Sequence, residues 1–329
     1  MPSPTLTVFA PHPLLTVTIE REGTDRERVH VHAGGQGVWV ARMSGELGAR
    51  PVLCGFVGGE TGELLRPLLE RLPGRRALVA SATPSGCSVT DRRSGERRVV
   101  SLALSDPPSR HELDELFSRT CVEALGCGWL VVTNPLPGDA LPLELYRDLV
   151  TDARVNGVRV LVDLSAPRVD QALKGEPDLV KLNDWELAEY VCGPVDGDRL
   201  IDAAERIRDR GARNVIVTRG EQPALVLTDT GQWWLEPPRF VTGSREGCGD
   251  AMLGALAARW AAGDTFEHAL ITGAAAGAAN FLRHGIGSAS RKVVQALTEQ
   301  VRLYPADMPS TARGVSRSIR ASRAAEHTV

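Results

Sequence analysis

The chain has 329 residues, 43% of them hydrophobic and 24% charged, with a formal net charge of −3. This is the composition of a soluble globular protein long enough for one large domain or two smaller ones, and the slight acidity argues against a dedicated nucleic-acid binder. Six cysteines, at 54, 87, 121, 127, 192 and 248, form no C-x-x-C pair, which argues against a zinc site.

The first ten residues lack the basic stretch of a secretory signal. Within them, "LTVFA" (6–10) predicts a strand. Residues 15–34 and 87–104 alternate on either side of the polar turns "EGTD" and "RSGE", which predicts two antiparallel hairpins. Set into an α/β domain, the hairpins need a face to cover, so together they are expected to form a small lid sheet. Between and after them the apolar runs "PVLCGFV" (51–57), "WLVVT" (129–133), "VRVLVDL" (158–164), "DLVKLN" (178–183) and "NVIVT" (214–218) read as strands. Segments of helical character, 60–72, 111–125, 142–156, 184–192 and 198–211, separate them. That alternation predicts an α/β fold: a doubly wound, mostly parallel sheet flanked by helices. The run "ALITGAAAGAANFL" (269–282) is too short and too rich in Gly and Ala to span a bilayer. The expectation is a cytoplasmic protein with free thiols. Residues 1–304 are read as a single domain and 305–329, rich in Pro, Ser, Arg and Ala, as a flexible tail.

The stretch "GSREGCGDAMLGAL" (243–256) carries the chemistry. Met252, Leu253, Leu256, Ala257 and Trp260 have helical spacing, so Gly247, Cys248 and Gly249 lie at a helix N-terminus. Unpaired backbone N–H groups and the helix dipole make such a turn an anion site, and glycines let a ligand approach closely. Taken alone, such a turn is more often plain structure, with Asp250 as a cap. Three further stretches point to a ligand. "HAGGQGVWVARM" (32–43) is a glycine-rich turn running into a helix. "KLNDWEL" (181–187) lies at the carboxyl end of a strand, where α/β sheets bind ligands, and "VTRGEQPALVL" (217–227) is a strand ending in a small polar cluster.

In this order the stretches resemble the ribokinase or PfkB family of carbohydrate kinases, over about residues 5–303. "EGCGD" is similar to the family's G-A-G-D loop, "KLNDWE" to K-P-N-x-x-E, and "VTRGEQPA" to V-T-x-G-x-x-G-A. "HAGGQGVWVARM" resembles the H-A-G-G-K-G-x-N-V-A of the 1-phosphofructokinase and tagatose-6-phosphate kinase branch, and "GAANFLRHGIGSA" (277–289) the end of its nucleotide pocket. The resemblance implies a ribokinase-like fold with a β lid, and transfer of the ATP γ-phosphoryl group to a sugar hydroxyl with Mg2+. Residue by residue, it implies Asp250 as general base, with the amides of Gly247, Cys248 and Gly249 facing the transferred group. It implies Lys181 balancing phosphate charge, and Asn183 and Glu186 organising magnesium through water. Thr218 and Gly220 are expected along the phosphates and ribose, and Gly277 and Asn280 in the adenine pocket.

The acceptor half departs from that pattern. The candidate substrate residues are Thr16, Gly34, Gly35, Gln36, Gly37, Trp39 and Ser88. Thr16 stands near the place of the family's sugar-binding aspartate, Gln36 replaces the motif's lysine and Trp39 its asparagine. Gly86 and Ser88 stand for Arg and Asn, "TNPLP" (133–137) for S-G-S-L-P, and Pro223 for Gly. These changes remove hydrogen-bonding ligands and add a large ring. Arg92, Arg93, Arg97 and Arg98 are read either as anion ligands on the lid or as a solvated face. Cys248 stands for Ala at a helix N-terminus, a place that can lower a thiol's pKa, and Arg245 stands for Thr, facing phosphate or solvent.

The leading expectation is an ATP-dependent kinase of a small-molecule acceptor, a sugar or sugar phosphate. The alternatives are a kinase of a non-sugar acceptor such as a nucleoside, or a non-catalytic, nucleotide-binding regulatory descendant. A dinucleotide-dependent oxidoreductase fits poorly, because no G-x-G-x-x-G follows the first strand. No nucleic-acid or membrane partner is expected; a homodimer through the lid, or a monomer, is.

Overall fold

The computed structural model describes residues 3–22, 26–95, 97–136, 141–283 and 289–307. Parts of both hairpin turns, Pro137 of "TNPLP", residues 284–288 of the expected nucleotide pocket and residues 308–329 of the expected tail lie outside the described residues.

In chain order the strands are β1 (Thr5–Phe9), β2 (Leu14–Glu22), β3 (Arg26–Gly34), β4 (Arg50–Gly58), β5 (Arg75–Ser81), β6 (Cys87–Asp91), β7 (Arg98–Ala103), β8 (Trp129–Thr133), β9 (Arg159–Asp163), β10 (Leu179–Asn183), β11 (Asn214–Arg219), β12 (Gln222–Thr228), β13 (Gly231–Glu236) and β14 (Arg302–Pro305). The helices are α1 (Gln36–Glu46), α2 (Gly59–Glu70), α3 (Arg110–Cys127), α4 (Leu143–Val155), α5 (Arg168–Leu173), α6 (Asp184–Val191), α7 (Asp198–Asp209), α8 (Cys248–Ala261), α9 (Phe266–Phe281) and α10 (Arg291–Thr298).

Among the described residues, ten strands form one sheet in the order β14-β13-β12-β11-β10-β9-β8-β1-β4-β5. The strands from β11 to β5 are parallel, and β12, β13 and β14 extend one edge antiparallel. The chain leaves β1 towards β4 and β5, then returns to its other side at β8. Strand order thus turns at β1, the place where doubly wound sheets open a crevice at their carboxyl ends. Alternate side chains of the central strands feed two cores. Leu179 and Ile216 face one that contains α1, α8 and α9. Val180, Leu182, Val215 and Val217 face the other, covered by α4 and α7. Burial on both faces explains why these strands read as continuous apolar runs.

The two predicted hairpins form a separate four-stranded sheet, ordered β3-β2-β6-β7. β2 and β6 are its central pair and run parallel, with Thr16 opposite Ser88. The segment 217–227, read as one strand with a polar end, is instead two: β11 and β12 pair antiparallel around Gly220, whose φ of 59° suits a tight turn without a side chain.

The Gly- and Ala-rich run forms α9, buried along most of its length against α8. No helix among the described residues is long and apolar enough to cross a membrane. α8 in turn packs on α1. A Cβ added to Gly254 would lie 2.5 Å from the Val40 carbonyl oxygen, so the two helices meet backbone to backbone there. Buried Ser44 joins them, its Oγ donating to the Val40 carbonyl at 2.8 Å and the Gly254 carbonyl at 3.0 Å.

Candidate active site

The ends of β9 and β10 and the starts of α1, α6 and α8 meet at the crevice. α8 begins at Gly247, whose φ of 69° is the left-handed region, and no side chain caps its first turn. Asp250 stands in that turn and is buried. Lys181 on β10 and Asp163 at the end of β9 are also buried, and the lysine Nζ donates to the Asp163 carboxylate at 2.6 Å. A Cβ on Gly249 would sit 3.0 Å from that Nζ, so glycine there lets the ammonium come up against the α8 turn. At the start of α6, Asn183 Oδ1 accepts from the Glu186 backbone N–H and the Glu186 carboxylate accepts from the Asn183 N–H, both at 2.8 Å. This capping box occupies half of each polar group.

Three carboxylates, Asp163, Glu186 and Asp250, therefore share one ammonium. Burial pushes the Asp250 carboxyl up to about 7, and the Asp163 charge adds to the rise; Lys181 and a hydrogen bond from Gln36 oppose it. Burial and then Asp163 also raise Glu186. Burial alone lowers Lys181, but the carboxylates around it outweigh burial and hold the ammonium above its ordinary value. The net excess of negative charge fits a cation nearby. Among the described residues no group of three or more His, Cys, Asp or Glu is arranged to grip a metal directly. With the capping box already engaging Asn183 and Glu186, these two residues would fit an ion held through water rather than one gripped directly.

Two cavities are lined by neighbours of Asp250, Gly249 and Lys181 in one and Gln36 in the other. One, of about 450 Å³, is lined by Lys181, Asn183, Thr218, Gly220, Gly249 and Gly277, with apolar walls that include Met252 and Phe281. The other, of about 290 Å³, lies under the lid and is lined by Thr16, Gly35, Gln36, Gly37, Trp39 and Ser88. Gln36 joins this cavity to the reacting centre: its Oε1 accepts from the Asn134 N–H at 2.7 Å while its side chain hydrogen-bonds Asp250. Gly37 abuts the end of β1, where a Cβ would lie 2.3 Å from the Ala10 methyl. Gly34 does not line the cavity; it makes room for the Thr16 hydroxyl, which a Cβ would meet at 2.4 Å.

Three of the residues named from the sequence are engaged within the protein. Asn280 does not line the larger cavity. It is buried, and its amide donates to the Glu246 carbonyl at 2.9 Å and reaches Cys248 Sγ at 3.7 Å, bracing the loop. Burial pushes the Cys248 thiol up to about 11 despite its helix terminus. Arg245 donates to Glu221 at 2.7 Å, and both residues line the larger cavity. The four lid arginines divide. Arg93 pairs with Asp91 and Glu27, Arg98 lies by Asp91 and Arg92 by Glu20, whereas Arg97 lines the smaller cavity and pairs with Glu246. Asp163 was missed in the sequence, although it is the one carboxylate in the run "VRVLVDL" and stands near its end.

A family model for pfkB family carbohydrate kinases matches residues 14–292. The 1-phosphofructokinase of Escherichia coli is 27% identical over 279 residues, covering 84% of this chain and 88% of the relative. The ATP-dependent 6-phosphofructokinase isozyme 2 of Escherichia coli is 32% identical over 259 residues, covering 77% and 82%. Among solved structures, Escherichia coli phosphofructokinase-2 in complex with potassium superposes with a TM-score of 0.80 at 27% identity, covering 91% of this chain and 98% of its own. The ribokinase of Arabidopsis thaliana complexed with ribose and ATP, at 20% identity and a TM-score of 0.68, shares the fold over 91% and 99%. The chain belongs to the pfkB family of carbohydrate kinases, ATP- and Mg2+-dependent phosphotransferases with an alcohol group as acceptor.

Proposed function

We propose that the centre transfers the terminal phosphoryl group of ATP to a hydroxyl of a small sugar-like acceptor, with Asp250 as the general base. Asp250 takes the hydroxyl proton; the freed oxygen pair forms the new bond to phosphorus, and ADP departs with the electrons of the bond that breaks. The supporting observation is a buried carboxylate held at about 7, in the uncapped first turn of α8, whose neighbours Gly249 and Gln36 each line a cavity. A base poised near neutrality suits proton removal at neutral pH.

The amides of Gly247, Cys248 and Gly249 face the charge developing on the transferred group, and Lys181 balances it. Thr218 and Gly220 lie along the nucleotide's phosphates and ribose, with Gly277 on the wall of its base pocket. Asn183 and Glu186 would hold magnesium through water, and the ion supplies positive charge to the phosphate oxygens. Gln36 orients the base from the acceptor side, where Thr16, Gly35, Gly37, Trp39 and Ser88 contact the acceptor.

The test is ATP consumption against a panel of sugars, sugar phosphates and nucleosides. Asp250→Asn is expected to lower turnover by about 10²–10⁴. Equal rates for both proteins on every acceptor would remove the assignment. Tight ATP binding with no turnover would favour a regulatory descendant.

Residues 1–304 form the kinase domain in this reading, supported by one sheet that takes strands from both ends of the chain. Six free cysteines accord with a reducing, cytoplasmic setting. The lid leaves Val29, Val31 and Val100 exposed, an apolar face suited to a second copy of the chain.

A further inference from the structure

The smaller cavity contains polar atoms that the phosphotransfer step leaves unused. Thr16 is only 3% exposed, yet its Oγ1 has no hydrogen-bond partner. The Nε1 of Trp39 is buried and equally unpartnered. Both residues line the cavity. Buried polar atoms are as a rule hydrogen-bonded, so an occupant that supplies partners fits here. Both groups are neutral: a hydroxyl that donates or accepts, and an indole N–H that donates. They suit hydroxyl or carbonyl oxygens beside a ring that packs on the indole.

The charge in the cavity is already balanced. Among its described lining residues, Arg97 is the one Lys or Arg and Glu246 the one carboxylate, and the two pair with each other. Arg97 reaches down from the lid before β7; Glu246 immediately precedes Gly247. Arg92, which also acts on Glu246, has Glu20 at 3.7 Å. His12, the remaining ionisable lining group, packs on the Phe56 ring with centroids 5.6 Å apart. The rest of the wall is apolar, with Leu14, Val99, Leu102 and Leu136. Gly86 adds no side chain between Leu14 and Leu136, whose methyls a Cβ would meet at 3.0 Å. A phosphorylated acceptor would find its one cation engaged and a carboxylate beside it.

We propose that the acceptor is an uncharged, hydroxyl-bearing ring compound, and that Glu246 excludes phosphorylated acceptors by holding Arg97 and by charge repulsion. The inference rests on the phosphotransfer reading of the α8 turn and names the acceptor class for that same site. Like charges brought together at a binding surface suppress the wrong partner, and a cation already paired with a carboxylate is less available to a second anion.

The experiment is calorimetric binding to the full chain with magnesium and a non-hydrolysable ATP analogue filling the nucleotide side. The probes are D-fructose and uridine against fructose 1-phosphate and fructose 6-phosphate. At least one uncharged probe is expected to bind about tenfold or more tighter than either phosphate ester. Glu246→Gln releases Arg97 and is expected to close that gap about tenfold, through gain by the esters. Arg97→Gln is expected to leave the esters weak. Glu246→Ala repeats the measurement if the melting temperature shows the glutamine variant to be poorly folded. A phosphate ester that binds the wild type as tightly as every uncharged probe, no binding by any probe, or a gap unchanged in both Glu246 variants would overturn the proposal. Turnover of fructose 6-phosphate that Asp250→Asn abolishes would sink this inference and leave the phosphotransfer reading intact. Selective binding of an uncharged probe without turnover would do the reverse.

Discussion

Asp250→Asn is expected to stabilise the nucleotide-free protein while disabling it. The carboxyl is pushed from its ordinary 3.8 to about 7 by burial and by Asp163. A rise of about three units, at about 1.36 kcal/mol each, puts the cost of keeping the ionised form in the fold at about 4 kcal/mol. The sign follows from linkage. The folded pKa lies above the unfolded one, so the contribution of this group is fully present below about pH 4 and is lost as pH rises through about 7. The asparagine variant carries no such titration. Its advantage over the wild type should be near zero at low pH, grow between about pH 4 and 7 and level off above that. About 4 kcal/mol is the ceiling, because Lys181 loses a favourable neighbour in the variant and the new amide needs partners. Chemical denaturation of both proteins at several pH values between about 5 and 8 reads the difference. A variant less stable than wild type at pH 8, or a difference that does not change with pH, would refute the claim that the site holds its base under strain. The same variant losing about 10²–10⁴ in turnover would then display the trade between stability and activity at one atom pair.

The acid limb of kcat/KM should follow the same group: below about pH 7 Asp250 is protonated, and the rate is expected to fall about tenfold per unit in a pH profile. Lys181→Met removes the ammonium that three buried carboxylates share and is expected to destabilise the fold by about 3–5 kcal/mol at pH 8, less at pH 5, measured by denaturant unfolding. On the lid, Val31→Asp is expected to turn a dimer into a monomer in sedimentation; a wild type that sediments as a monomer at every concentration would remove the lid-pairing proposal.

Much of this architecture was legible because its signals are local. Alternation around a polar turn marked both hairpins. Glycines before a helical stripe marked the α8 turn, and a strand end running into a capping box marked Lys181, Asn183 and Glu186. Elements that depend on neighbours were less legible. The edge strands β12, β13 and β14 form by pairing on β11, and Pro305, assigned to a tail, pairs with Trp233. Asp163 matters because β9 and β10 run side by side, with Val162 opposite Val180 one residue earlier. Asn280 sits in a motif that resembles a nucleotide pocket, but the rotation of α9 turns its amide inward onto the loop. The Cys248 thiol has the helix terminus that lowers a pKa and the burial that raises it, and only the packing decides that burial wins. Arg97 and Arg98 are adjacent in sequence, yet one lines a cavity and the other faces solvent.

The contact of α1 with α8 through Gly254, bridged by Ser44, ties Gln36 and Asp250 to one rigid block. Of the groups proposed to choose the acceptor, Thr16, Ser88 and Arg97 belong to the lid sheet or the turn within it, whereas Trp39 lies on α1 and Glu246 just before α8. In the proposed reading, specificity is therefore shared between the lid and the block that carries the base. Substitutions in the lid can redraw which molecule is accepted without disturbing the alignment of the base, whereas a methyl group at Gly254 would misalign the base for every acceptor alike.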